Sequence, residues 1–264
     1  MIDLTDVTFV IPFSLDSPDR LRNLHITTTF LLRHFSTHIL ISEYAPEPKL
    51  DLKQWSQHAR KSIRHRFFPN PYPYFQRTRS VNLAVRTIST PYFVIYDSDV
   101  LLCTRQYLEA VMFLRGRKAD MCLPFANRVM WIPQEGVERL PTPVTDAVLD
   151  GLRYEVSDDR HIFLGLVNVL NTRSFIEAGM MNEHFKSWGY EEMELYMRLI
   201  KLGYSVLRTS GIAYHLDHYR GTDSSANHEY FEFNQQEYHR TLAHNPDELR
   251  QYTRSWPWLK DAAG

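Results

Sequence analysis

Cysteine is scarce in this chain: 264 residues hold only Cys103 and Cys122. Two are too few for a disulfide framework or a zinc cluster, which suits a reducing compartment. Each reads as a small buried hydrophobe. Long apolar runs are missing as well, and no window approaches the ~20 residues of a membrane span. The opening MIDLTDVTFVIPFS has no basic leader ahead of an apolar stretch, so it does not read as a secretory signal. Neither sign of charge dominates: 30 basic and 31 acidic residues give a net charge of -1. Without a global field, a dedicated nucleic-acid binder is disfavoured. The GxxxxGK, GxGxxG and GxSxG patterns do not occur, which argues against ATPase, dinucleotide dehydrogenase and esterase chemistry. Repeats and low-complexity tracts are absent. The expected setting is the cytoplasm, with peripheral contact at the inner face of a membrane as the furthest association with lipid.

What is present centres on Tyr92–Asp99, YFVIYDSD. Five β-prone apolar residues read as a strand buried on both faces, ending abruptly in Asp97, Ser98 and Asp99. Open α/β sheets bind ligands at the carboxyl ends of their strands. Two acids spaced i, i+2 at that place suit a hard divalent cation whose shell substrate phosphates complete. Elsewhere such acids cap turns; the buried strand in front favours the metal.

The remaining chain supports an α/β sheet. Val7–Phe13 reads as a first buried strand, Arg20–Phe35 as a helix and His38–Ser42 as a second strand ending at Glu43. That is the strand–helix–strand unit of parallel sheets. Residues 58–79 form a basic, aromatic, proline-broken stretch whose part around Asn70-Pro71-Tyr72-Pro73 is expected to be irregular. A helix over Ser80–Ile88 leads into the acid-tipped strand. Further strands are expected at Met121–Phe125, Phe163–Leu170 and Val206–Ala213, with helices at Thr104–Arg115 and Arg173–Ala178. The basic residues Arg60, Lys61, Arg64 and Arg66 read first as a solvated loop; the other use is contact with an anionic acceptor or membrane face.

Two other constellations carry chemistry. In WGYEEME, residues 188–194, a Trp-Gly corner opens an apolar helix ending at Gly203. Acids in its first turn complement the macrodipole, and Glu194 pairs with Arg198 at i, i+4. Glu191 and Glu192 follow the glycine directly, so at least one can face a cleft and act as base toward a sugar hydroxyl. Trp188 offers a flat face to a pyranose ring. In HLDH, residues 215–218, no zinc partner set at standard spacing accompanies the histidines. A histidine completing an aspartate-bound cation fits better, with His218 preferred and His215 the substitute. Imidazole beside oxygen ligands suits Mn²⁺ over Ca²⁺.

Taken in order, VIPFS, Glu43, RTRSVNLAV, DSD, WGYEEMEL and HLDH resemble the inverting, nucleotide-sugar-dependent GT-A glycosyltransferases. The likeness is to bacterial capsule and polysaccharide enzymes and the β-1,4-galactosyltransferase C-terminal region, over roughly residues 7 to 220. It implies a single-domain α/β GT-A fold, a Rossmann-like mixed sheet flanked by helices. Residues 1–224 would form the catalytic domain and 225–264 a helical extension packed on it. It further implies a UDP-sugar donor, Mn²⁺ or Mg²⁺, and a saccharide or lipid-linked saccharide acceptor, without nucleic acid.

By that resemblance Pro12, Phe13, Ser14 and Glu43 cradle uracil and ribose, and Arg79 and Asn82 lie beside the nucleotide. Asp97 approaches ribose or metal, Asp99 is the firm metal ligand, and His218 or His215 is the late one. Trp188 and Gly189 lie against a sugar, and Glu191 binds acceptor hydroxyls. Glu192 falls where the family carries an aspartate base. That Glu-Glu pair is a departure, since one extra methylene moves the carboxylate by about 1 Å; Glu191 is the substitute base. Gly165-Leu166 departs from a Gly pair lining the donor sugar. A sugar-phosphate nucleotidyltransferase and a non-catalytic sugar-binding module are the competing classes.

Overall fold

The computed structural model describes residues 1–157, 162–221 and 227–260. The first half runs β1 (Ile2–Phe13), α1 (Pro18–His34), β2 (Phe35–Ala45), β3 (Ile63–Pro69), α2 (Arg77–Val85), β4 (Tyr92–Tyr96), β5 (Val100–Leu101) and α3 (Thr104–Arg115). Then come β6 (Met121–Leu123), β7 (Val129–Ile132), the short helices α4 (Gln134–Glu138) and α5 (Asp146–Gly151), β8 (Val167–Asn171) and α6 (Thr172–Glu177). The chain continues through α7 (Glu191–Leu202), β9 (Val206–Arg208), β10 (Ala213–Leu216), α8 (Phe231–Ala243), α9 (Pro246–Arg254) and α10 (Pro257–Lys260).

Seven strands form one sheet in the order β3-β2-β1-β4-β8-β6-β9. β1 to β4 are parallel, whereas β8 runs antiparallel to both β4 and β6. The sheet is mixed, as expected. Side chains of β4 alternate between its faces: Val94 and Tyr96 enter a core with Phe9, Phe30, Phe35 and Tyr107. Phe93 and Ile95 enter a second core with Val81, Phe175, Leu195 and Leu199. A period of two with both faces covered explains why this strand reads as an unbroken apolar run. Ser17 caps α1 by accepting from the Arg20 amide, with Pro18 opening the helix.

Three expectations change. The stretch 58–79 contains the edge strand β3, paired in parallel with β2. Its alternating Arg64, His65 and Arg66 have no apolar face to announce a strand, and charges on an edge strand also discourage pairing with other chains. The single strand expected over Val206–Ala213 is two, β9 in the main sheet and β10 in a three-stranded sheet ordered β5-β10-β7. Gly211, at φ +103, lies in the turn that separates them. The strand expected from Phe163 begins only at Val167. The expected domain boundary at 224/225 lies outside the described residues. No helix among the described residues is long and apolar enough to cross a membrane.

Residues beyond that point are tied to the segment leading into α7. Glu237 is buried and accepts from Asn182 Nδ2 at 3.0 Å, His184 Nδ1 at 3.2 Å, Tyr252 OH at 2.9 Å and Arg240 Nη1 at 3.0 Å. Burial pushes this carboxyl upward, but the bonds from His184, Asn182 and Tyr252 outweigh it and hold it below its usual 4.5. Glu237→Gln is expected to cost roughly 2–3 kcal/mol, the range for bonds to a charged group, as read by urea unfolding near neutral pH. A depressed folded pKa gives stability that is complete above the unfolded value and is lost as pH falls through the folded one. Wild type and variant should therefore converge in acid.

Candidate active site

The carboxyl ends of β1 and β4, the loop after β3, the start of α7 and the segment after β10 surround one cavity of about 960 Å³. Its position follows from the sheet, since β1, β2, β3 and β4 all point their carboxyl ends to this side. Among the expected site residues, Pro12, Ser14, Asp97, Ser98, Asp99, Trp188, Gly189, Glu191, Glu192, His215 and His218 line it.

At the tip of β4 the chain turns into β5, which pairs antiparallel with β10 so that Val100 faces His215 in register. The Leu216 amide donates to Asp99 O at 2.7 Å. This ladder sets the late histidines beside the early aspartate, although 115 residues separate Val100 from His215. Asp99 Oδ2 lies 2.8 Å from His218 Nε2, and Asp99 Oδ1 lies 4.0 Å from His215 Nε2. Ligand atoms of the three side chains all fall within 4.8 Å of one another. His218 Nδ1 donates to Tyr219 O at 2.6 Å, which orients the ring so that Nε2 faces Asp99 Oδ2; a metal bound there would take the place of the Nε2–H···Oδ2 contact. Burial holds His215 low, at about 4, despite the opposing pull of Asp99. Burial would raise Asp99, yet His215 and His218 hold it below the ordinary carboxylate range. A carboxylate and imidazole nitrogens in one buried cluster fit a borderline-hard divalent ion such as Mn²⁺.

Asp97 is not part of that cluster. Its Oδ1 accepts from Arg77 Nη2 at 2.6 Å, and Arg77 Nη1 donates to Glu192 Oε1. In the structure Asp97, expected at ribose or metal, takes part in a bridge: one guanidinium joins the DSD segment to the start of α7. Burial raises the Asp97 carboxyl, Arg77 opposes and Asp99 adds to the rise. Burial alone would lower the Arg77 guanidinium, but Asp97 and Glu192 hold it firmly charged.

The two glutamates are in unlike surroundings. Glu192 is partly exposed to the cavity and ion-paired with Arg77. Glu191 is 2 % exposed and its Oε2 has no hydrogen-bond partner. Burial, with Glu192 adding to it, pushes the Glu191 carboxyl well above its usual range, against the opposing pull of Arg77. Before them the chain turns sharply through Ser187 at φ 58, Gly189 at φ 111 and Tyr190 at φ 70. That turn leaves Trp188 47 % exposed in the cavity wall. A Cβ on Gly189 would approach the Phe231 ring to 3.2 Å, so both conformation and space require glycine. Such strained backbone is characteristic of ligand sites.

Four expected residues do not reach the cavity. Phe13 points away from Pro12 and Ser14, by strand alternation, into the core. Glu43 is fully buried and accepts from the Lys49 and Leu50 amides and from His65 Nε2. It shapes the loop after β2 and is not among the residues lining the cavity. Arg79 pairs with Glu183 at 3.0 Å, and Asn82 Nδ2 donates to Met181 O and Glu183 Oε1 at 2.9 Å. Both therefore brace the segment that precedes Trp188. The arginine that enters the site is Arg77. α2 begins at Arg77, three residues before the expected start, and Arg77 sits one turn ahead of Val81 on the buried stripe. Arg20, Tyr72, Tyr74, Phe75, Trp131 and Arg220 also line the cavity and carry no motif that marks them.

Residues 152–220, about a quarter of the chain, match the family model for the N-terminal domain of galactosyltransferase. No curated protein sequence matches the chain. Among solved structures, Staphylococcus aureus TarS residues 1–349 in complex with UDP-GlcNAc is 14% identical. The match has a TM-score of 0.53 and covers 88% of this chain and 65% of that one. The catalytic domain of Drosophila β1,4-galactosyltransferase 7 with xylobiose is 16% identical, with a TM-score of 0.49 over 89% of this chain and 80% of that one. A variant of that fly enzyme was solved with manganese, UDP-Gal and xylobiose, at 15% identity and a TM-score of 0.46 over 88% and 74%. The chain has the GT-A glycosyltransferase fold, similar to bacterial enzymes of that fold and to galactosyltransferases.

Proposed function

We propose that the protein is a metal-dependent, inverting glycosyltransferase that moves a sugar from a UDP-sugar to a hydroxyl of a saccharide acceptor in polysaccharide or glycan synthesis. The observation that carries this reading is the presence, in the lining of one cavity, of both the Asp99–His215–His218 cluster and the Arg77-held Glu192. A Mn²⁺ or Mg²⁺ ion held by Asp99, His215 and His218 would supply Lewis-acid neutralisation of the departing diphosphate. Pro12, Ser14, Ser98 and the aromatic side chains after β3 wall the nucleotide end of the cavity. Glu192 takes the proton of the acceptor hydroxyl as that oxygen attacks the anomeric carbon from the face opposite the leaving group. Arg77 fixes the direction of Glu192 and keeps its charge matched until the proton arrives. Glu191 binds an acceptor hydroxyl, and Trp188 stacks on the sugar ring. The extra methylene of Glu192, relative to an aspartate, is accommodated by its contact with Arg77. A cytoplasmic setting, at the inner membrane face when the acceptor is lipid-linked, belongs to the same proposal.

The test is a panel of nucleotide sugars assayed for product with and without Mn²⁺. UDP release that requires Mn²⁺, is stopped by EDTA and is accelerated by a saccharide is the expected result. Pyrophosphate release would indicate a nucleotidyltransferase, and binding without turnover a sugar-binding module.

A further inference from the structure

The tail helix α8 carries a row of aromatic rings that starts at the cavity and leaves it. Phe231 lines the cavity and stacks with Trp188, centroids 6.3 Å apart and planes at 16°. Tyr190 follows, 5.3 Å from Phe231, and Tyr238 lies 5.4 Å beyond Tyr190. None of the four is fully buried: Trp188 is exposed and the other three are half-buried. Rings that served only to pack α8 on α7 would be covered. Phe231 and Tyr238 are seven residues apart on one helix, so they share a face and span about 10 Å of its axis. Two or three linked pyranose rings cover that distance. Hydrogen-bonding groups flank the row: Gln235 Nε2 donates to Tyr190 OH at 2.8 Å, and the His239 ring packs on Tyr238 at 5.3 Å. Flat apolar faces edged by amides and hydroxyls match the alternating C–H faces and hydroxyl rims of a sugar chain. At about 960 Å³, the cavity stands at the upper end of the ~300–1,000 Å³ of single-ligand sites. That leaves room for an acceptor beside a donor.

We infer that α8 forms an extended acceptor subsite for a linear oligosaccharide of at least three residues. The terminal sugar lies on Trp188 and the following ones run over Tyr190 and Tyr238. The inference rests on the sugar-transfer reading and deepens it.

The experiment uses the full chain and gluco-, xylo- and N-acetylglucosamine oligomers of one to four residues. Binding is followed by tryptophan fluorescence, and rates by UDP release. Affinity and kcat/KM should rise about tenfold from one residue to three, as two added ring contacts of modest strength provide, and then level off. Tyr238→Ala should flatten the gain from the third residue, whereas Tyr238→Trp should retain it, both at unchanged melting temperature. Equal use and equal binding of all lengths by the wild type, or an undiminished length dependence in Tyr238→Ala, would overturn the subsite. Absence of any UDP-sugar turnover would strike the transferase reading instead; the binding series would still decide this one.

Discussion

Glu192→Gln is expected to slow sugar transfer by about 10²–10⁴-fold, the contribution of a positioned general base, with little change in UDP or metal affinity. Glutamine keeps the length of the side chain and an oxygen for Arg77, so the bridge from Arg77 to Asp97 at 2.6 Å stays in place. What disappears is the capacity to accept a proton. Glu191 is less well placed to replace it, being 2 % exposed, whereas Glu192 is partly open to the cavity. Steady-state rates measured beside calorimetric UDP titrations separate the two effects. A Glu192→Gln protein that turned over normally would remove the base assignment and return the role to Glu191.

Asp99→Ala is the second large effect. It removes the one carboxylate of the Asp99–His215–His218 cluster, leaving two imidazoles that no longer converge on an anionic oxygen. Changing a group that only supports a metal ligand costs about 10–100-fold in affinity or activity; removing the ligand itself should exceed that. Mn²⁺ binding followed by electron paramagnetic resonance should weaken more than ~100-fold, and turnover should fall at least in proportion. The fold should survive, because Asp99 joins the β5–β10 ladder through its backbone, Leu216 N to Asp99 O at 2.7 Å. Unaltered Mn²⁺ affinity in this variant would place the metal elsewhere.

The parts of the site that were legible in the sequence are those set by local pattern. YFVIYDSD announces a strand tip, because burial on both faces produces an apolar run and acids end it. WGYEEMEL announces a helix start, because glycine and a left-handed Tyr190 precede an amphipathic repeat. His215 and His218 were legible as a pair, but their approach to Asp99 depends on the β5–β10 ladder, which joins distant segments and leaves no local trace. Arg77 was missed in favour of Arg79 for a similar reason. Two arginines two residues apart point to opposite sides of a helix, and only the placement of α2 over the sheet decides which one enters the cavity. Glu43 shows the converse: a carboxylate at a strand end resembles a ligand-binding group, yet it is consumed by two backbone amides and His65. The edge strand β3 hid behind charges and prolines. The role of α8 was illegible, since its aromatics acquire meaning only beside Trp188.

Beneath all of this stands the grip of a divalent ion, seated at the tip of β4, on a nucleoside diphosphate. Isothermal titration of UDP into the wild-type protein, in Mn²⁺ and again in EDTA, addresses it directly, with Asp99→Ala as the companion titration. Tight binding in Mn²⁺ that collapses in EDTA, and is weak in both buffers for Asp99→Ala, is the predicted outcome. UDP affinity indifferent to the metal, or preserved when Asp99 is gone, would contradict it.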